Sequence, residues 1–306
     1  VFATECDEKN YITCKVLHLL HALKLYGVLP AIINAIIKTY LDSYKDENID
    51  ITKFEEYVQA LKDDVQNKKD EFQQIHKLSY DFWRYSLMAK NSDIPRQIAK
   101  KYVEKNNIFK QDFQYRVSDY DKKLKEEFKQ WIYNWKYGTG DDQLRVKVLF
   151  IELFEMEKED DQLVSGSTSR QFVSANIQLD HMEASNPMKG MEEKYFKPLN
   201  ANEQRDAYVD SIGNFMIMDQ KDNNDKNNQS LQDALPLYRK MAPKHWMIQE
   251  VEEMLRDENF ANQVSIAGEA HYIPKEEFFN ERRARLLKYF NALLSREFEE
   301  KSVKIQ

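Results

Sequence analysis

Two stretches decide the fold: Ile177-Gln178-Leu179-Asp180-His181-Met182 and, about thirty residues later, Ile212-Gly213-Asn214-Phe215-Met216-Ile217-Met218. The first closes a roughly alternating run from Gln171 through Phe172, Val173, Ile177 and Leu179, which predicts a strand. The second predicts another short strand. An acid and an imidazole therefore stand side by side at a strand end. Next comes Asp219-Gln-Lys-Asp-Asn-Asn-Asp-Lys-Asn-Asn228, rich in turn-forming residues. A helical pattern follows from Leu231 to Met241, so residues 170–241 read as one ββα unit.

Outward from this unit the chain is helical. Upstream, Tyr11 to Leu25 is a dense apolar helix ended by Gly27, and Pro30 opens a second, as proline does in a first helical turn. Thr52 and Glu55 form a capping-box pair ahead of a charged segment reaching about Lys77. Asp93 and Pro95 start another helix, and Asp119 to Tyr137 carries Leu124, Phe128, Trp131, Ile132 and Trp135 at helical spacing. Gly138-Thr139-Gly140 breaks the pattern, after which Leu144 to Met156 is apolar again. Residues 160–170 are polar and Ser/Gly-rich and read as a loop or boundary. Downstream, helices are expected from Pro243 to about Asp257 and from Pro274 to near the end.

The expectation is a mainly α chain with a small α+β part, divided into a helical domain over 1–160 and a ββα-containing domain over 161–306. Composition agrees. The 306 residues are 42% apolar and 32% charged, enough for a sizeable core, with only seven glycines and seven prolines. So few breakers exclude Gly-rich sandwiches and low-complexity linkers. The net charge of −7, with neither half basic, argues against strong nonspecific nucleic-acid affinity through bulk charge. Cys6 and Cys14 make no CxxC, so no zinc framework is encoded, and such sparse cysteine use suits the cytoplasm. No apolar run is long enough for a membrane span, no Walker or GxGxxG motif occurs, and the Val start suggests a fragment or processed terminus.

The Asp180-His181 pair, the Ile212-Gly213-Asn214 run and asparagines at 223 and 228 together resemble the HNH, or ββα-metal, nuclease motif. They are most similar to the form at the C-terminus of GmrSD-type modification-dependent restriction proteins. Leu144 to Phe154 looks like that family's helix ahead of the motif, and Glu281-Arg282-Arg283 with its apolar helix looks like its C-terminal region. One departure stands out: the family usually has proline three residues after the histidine, where this chain has Ala184, and the nearest proline is Pro187.

The resemblance implies a bacterial DNA endonuclease of anti-phage defence, with an upstream nucleotide-hydrolysing sensor domain that no segment here resembles. Phosphodiester hydrolysis needs an activated water, charge neutralisation and help for the leaving oxygen. A neutral imidazole takes a proton from water, which makes His181 the general base. Asp180 and an asparagine carbonyl supply hard oxygens suited to one Mg²⁺ or Mn²⁺; by resemblance the asparagine is Asn223, with Asn224 the alternative register. Asn214 orients His181 or its loop, Asn228 ties loop to helix, and Gly213 serves close packing or an unusual dihedral. Arg282, Arg283, Arg285 and Lys288 form a candidate DNA-contacting patch.

Each has a plainer reading. An isolated Asp-His pair is ordinarily a surface ion pair or cap, the asparagines fit a solvated turn, and the arginines fit a solvated helix face. His18 and His21 lie in an apolar helix as core or interface residues; His76, His245 and His271 lack partners at ligand spacing. Trp83, Trp131, Trp135 and Trp246 fall in helical patterns and fit a core better than a stacking platform. Two rival functions stay open: a helical scaffold with a decayed nuclease core, which Ala184 favours, and an RNase. Oligomeric state is not encoded in any pattern.

Overall fold

The strand pair expected around Asp180 and Asn214 forms in the computed structural model, which describes residues 80–89, 96–97, 111–138, 141–165, 176–185, 208–266, 268–296 and 302–305. In chain order the elements are helices α1 (Gln111–Tyr133) and α2 (Asp141–Phe154) and strands β1 (Met156–Glu159), β2 (Gln162–Ser165) and β3 (Ile177–His181). A 3-10 turn (Ile212–Asn214) then leads into β4 (Phe215–Asp219), α3 (Gln220–Lys226), α4 (Leu231–Met241) and α5 (Trp246–Arg256). The hairpin β5 (Ala261–Ile266) and β6 (Glu269–Pro274), helix α6 (Glu276–Ser295) and strand β7 (Ser302–Lys304) complete the series. The architecture is mainly α with small antiparallel sheets. None of the described helices is long and apolar enough to cross a membrane.

The chain divides into two compact units, Val1–Phe128 and Lys129–Gln306. In the first, residues 80–88 are helical, with Phe82, Trp83, Tyr85, Leu87 and Met88 buried. The helices expected from Tyr11, Pro30 and Thr52 lie outside the described residues, as do His18, His21, His76, Phe172, Val173 and Pro187; of the helix expected from Asp93 only residues 96–97 are described, and they are helical.

In the second unit, α2 buries Val146, Leu149, Phe150, Leu153 and Phe154, the three- and four-residue spacing of one helical face. That face packs on β3, β4 and α6, and Phe150 meets Phe290 edge-on at 5.5 Å. β3 and β4 pair antiparallel, with Asp180 opposite Met216 and His181 opposite Phe215. Phe215 to Met218 are buried on both faces of β4, because α2 and α4 both contact that strand. A continuous apolar run replaces alternation for that reason.

Three differences from the sequence expectations have physical causes. The second strand starts at Phe215, not Ile212, because residues 212–214 form a 3-10 turn pressed against α6. A Cβ on Gly213 would run into the backbone carbonyl of Phe279, so only glycine permits this approach. Residues 220–226 form a helix although asparagine is a poor helix former. Asp219 caps it by accepting from the Lys221 N–H at 2.8 Å, and Asn227 ends it at φ +49°. Finally, part of the polar 160–170 stretch is β2, which pairs with β1 and β7.

Candidate active site

On β3, Gln178 and Asp180 share a face by strand alternation, and α3 lies on it. Asn223 donates through Nδ2 to Gln178 Oε1 at 2.8 Å. One turn later the buried Lys226 ammonium donates to Asp180 Oδ1 at 3.2 Å and to the His181 carbonyl. The Tyr238 hydroxyl, from the buried face of α4, donates to Asp180 Oδ2. Asp180 is 5% exposed. Burial pushes its carboxyl above the usual range, while Lys226 and Tyr238 pull it back toward the ionised form.

His181 ends β3. Its Nε2 lies 3.0 Å from Asp210 Oδ1, and its ring packs against Tyr137 at 4.7 Å and Phe215 at 4.3 Å between centroids. Burial holds the imidazole below its ordinary pKa, opposed by the Asp210 carboxylate and, more weakly, by Asp180. The loop after His181 is fixed by Asn214, which is 0% exposed. Its Oδ1 accepts from the Glu183 N–H, and its Nδ2 donates to the carbonyls of Glu183 and Val209, each at 2.9 Å. Of the two roles left open for Asn214, the structure shows the loop and not a contact to the imidazole.

Asp180, His181, Asn223 and Asn228 line one cleft of about 560 Å³, shared with Tyr137, Lys147, Gln178, Ala184 and Lys226. Asn224 is exposed, so Asn223 is the asparagine that faces β3. Asn228 follows α3 and is half-buried at the cleft wall. Lys147 is half-buried there, and desolvation lowers its ammonium pKa. Glu183 is buried, accepts the Leu231 N–H at the start of α4, and is pushed up to about 7 by desolvation.

The basic patch needs a correction. Arg282 is 3% exposed and donates to the carbonyls of Gly213 and Phe215 at 2.9 and 2.7 Å. It is an internal brace behind β4 and cannot touch DNA; its place on the inner face of α6 follows from the spacing to Phe278, Phe279 and Leu286. Arg285 is engaged by Glu281 and Glu250. Arg283 lies over the Tyr133 ring at 4.2 Å, and Lys288 is exposed.

Sequence reasoning missed Lys226, Tyr238, Asp210 and Lys147. Reading 220–226 as a helix would have found Lys226, which falls three residues after Asn223 on the same face. Tyr238 lies seven residues after Leu231 on one helical stripe. Asp210 carried no signal, since the polar stretch before Ile212 has no periodicity.

The donor set suits a hard divalent cation. Among the described residues no group of three or more His, Cys, Asp and Glu could by itself hold a metal ion; an ion here would have one carboxylate, one amide oxygen and retained waters, the coordination Mg²⁺ prefers. Each Asp180 oxygen keeps a lone pair beyond its Lys226 or Tyr238 bond, and Asn223 uses its nitrogen, not its oxygen, on Gln178. Asp180 and Asn223 therefore fit as ligands.

Over residues 120–288 the chain matches the family described as GmrSD restriction endonucleases, C-terminal domain. The match spans more than half of the 306 residues and takes in β3, β4 and α2 to α5; the chain belongs to this family. Neither the curated proteins nor the solved structures yielded a match.

Proposed function

We propose that this chain is an HNH-type, Mg²⁺- or Mn²⁺-dependent endonuclease that hydrolyses DNA phosphodiesters, as the effector part of a bacterial restriction or anti-phage protein. The observation that carries the reading is the convergence of Asp180, His181 and Asn223 on one cleft, within a chain of a restriction endonuclease family. His181, kept neutral near pH 7 by burial, takes the proton from the attacking water. Asp180 and Asn223 hold the ion, which when bound offsets phosphate charge and stabilises the leaving oxygen. Lys147 faces the same cleft and contacts the phosphate on the α2 side. Tyr137 and Phe215 wall the imidazole on its apolar side and limit water there. Arg283 and Lys288 are the members of the α6 patch left to meet DNA outside the cleft.

The test is incubation of supercoiled plasmid and of a structured RNA, in parallel, with Mg²⁺, Mn²⁺ or EDTA. Nicked or linear plasmid with a divalent ion and intact plasmid with EDTA supports the reading; cleavage of RNA alone replaces it with an RNase. A scaffold with an inactive core is the second reading. It draws on the hydrogen bond that each Asp180 oxygen already accepts, from Lys226 or from Tyr238, and inert protein under every ion would select it.

A further inference from the structure

Asp210 is not part of the two stretches that carry the motif, yet its carboxylate is the side-chain partner of the His181 imidazole, at 3.0 Å from Nε2. The backbone around it is fixed from three directions. The Asp210 carbonyl accepts from the Tyr137 N–H at 3.0 Å. The preceding Val209 carbonyl accepts from Asn214 Nδ2. The following Ser211 returns both its N–H and its hydroxyl to the Tyr208 carbonyl. The same Asn214 amide holds the Glu183 backbone two residues beyond His181, and its own carbonyl accepts from the Met182 N–H at 2.8 Å. One buried asparagine thus clamps the segment carrying the carboxylate to the segment carrying the imidazole. Phe215 and Tyr137 lie against the ring, so its plane is restrained as well.

We propose that Asp210 is a positioning residue for the general base: it accepts the Nε2 proton of His181, fixes that tautomer, and leaves the Nδ1 lone pair as the atom that receives the proton from water. In a neutral imidazole one nitrogen carries hydrogen and the other a lone pair, and the partner of the first decides which. A carboxylate can only accept, so it selects the Nε2–H form. The imidazolium formed after proton uptake is then stabilised by the same carboxylate. An ordinary ion pair, the plain alternative for a carboxylate that is 37% exposed, would need no such clamp and would leave the tautomer free.

This inference rests on the nuclease reading, and its experiment separates the two. Single-turnover plasmid cleavage by the full chain with Mg²⁺ is compared for wild type, Asp210→Ala, Asp210→Asn and Asp210→Glu, together with ¹⁵N NMR of the His181 ring. The expected result is an Nε2–H tautomer in wild type and a mixed or Nδ1–H population in Asp210→Ala. Alongside it the chemical step falls on the order of 10²-fold, with KM for plasmid unchanged and rate partly restored by Asp210→Glu. Asp210 is partly exposed, so the variants should melt within a few degrees of wild type, which a thermal scan checks. An Nδ1–H tautomer in wild type, or Asp210→Ala cleaving within twofold of wild type, overturns the proposal and leaves the nuclease reading intact. Wild-type protein that cleaves nothing overturns both, whatever tautomer it shows.

Discussion

Asn214 uses both ends of its amide on backbone groups, and that choice makes it a hinge pin. Replacing it with aspartate would turn two donated bonds into oxygen-oxygen contacts in a wholly buried place, so Asn214→Asp should cost about 3 kcal/mol or more and be read as a lower melting temperature. Glu183 gives a pH signature. Its folded pKa, about 7, lies above the unfolded carboxyl value, so its contribution is fully present below the unfolded pKa and is lost as pH rises through about 7. Wild-type stability should therefore decline between pH 5 and 8 by up to about 3 kcal/mol from this group. Glu183→Gln, which keeps an acceptor for the Leu231 N–H, should flatten that decline in pH-dependent thermal melts. Arg282 and Lys288 separate internal from external charge. Arg282→Met leaves two buried carbonyls unpaired and should lose about 2–4 kcal/mol, whereas Lys288→Ala should leave stability within about 0.5 kcal/mol and only weaken DNA binding at low salt.

At the scale of elements, the site is held where β3, the turn at 212–214, α3 and α4 meet. The turn reaches its place because Gly213 lets the chain touch the α6 backbone and Arg282 reaches back to bridge the Gly213 carbonyl of the turn and the Phe215 carbonyl of β4. Gly213→Ala should force the turn and α6 apart, lower stability by about 2–4 kcal/mol, and slow cleavage by displacing Asn214, as measured by melting and plasmid assay together. Much of this layer was legible: α2, α4, α5 and α6 follow from apolar spacing, and β3 follows from its position before His181, whereas α1 ends at Tyr133, short of the Tyr137 end expected ahead of Gly138. α3 was not, because its residues are polar and it is stabilised by what it touches, Gln178 and Asp180 across the sheet face. β5 and β6 were also unread, since Asn262, Gln263 and Ser265 on one strand and Glu269 and His271 on the other blur alternation in a hairpin with little buried area.

At the scale of the molecule, family membership and the residues that meet in the cleft were legible from residue types and spacing, while the groups that contact them were not. Lys226, Tyr238 and Asp210 come from three segments that meet Asp180 and His181 only after folding, and no local pattern announces such meetings. The acidic net charge and the internal role of Arg282 leave few free cations on α6, so DNA affinity of the isolated chain should be weak and fall steeply between 50 and 200 mM salt, measurable by filter binding. The proposed nuclease chemistry depends most directly on His181. Supercoiled plasmid incubated with Mg²⁺ should be nicked or linearised by the wild-type chain and at least about 10²-fold more slowly by a folded His181→Ala variant. Equal cleavage by the two proteins would contradict the account.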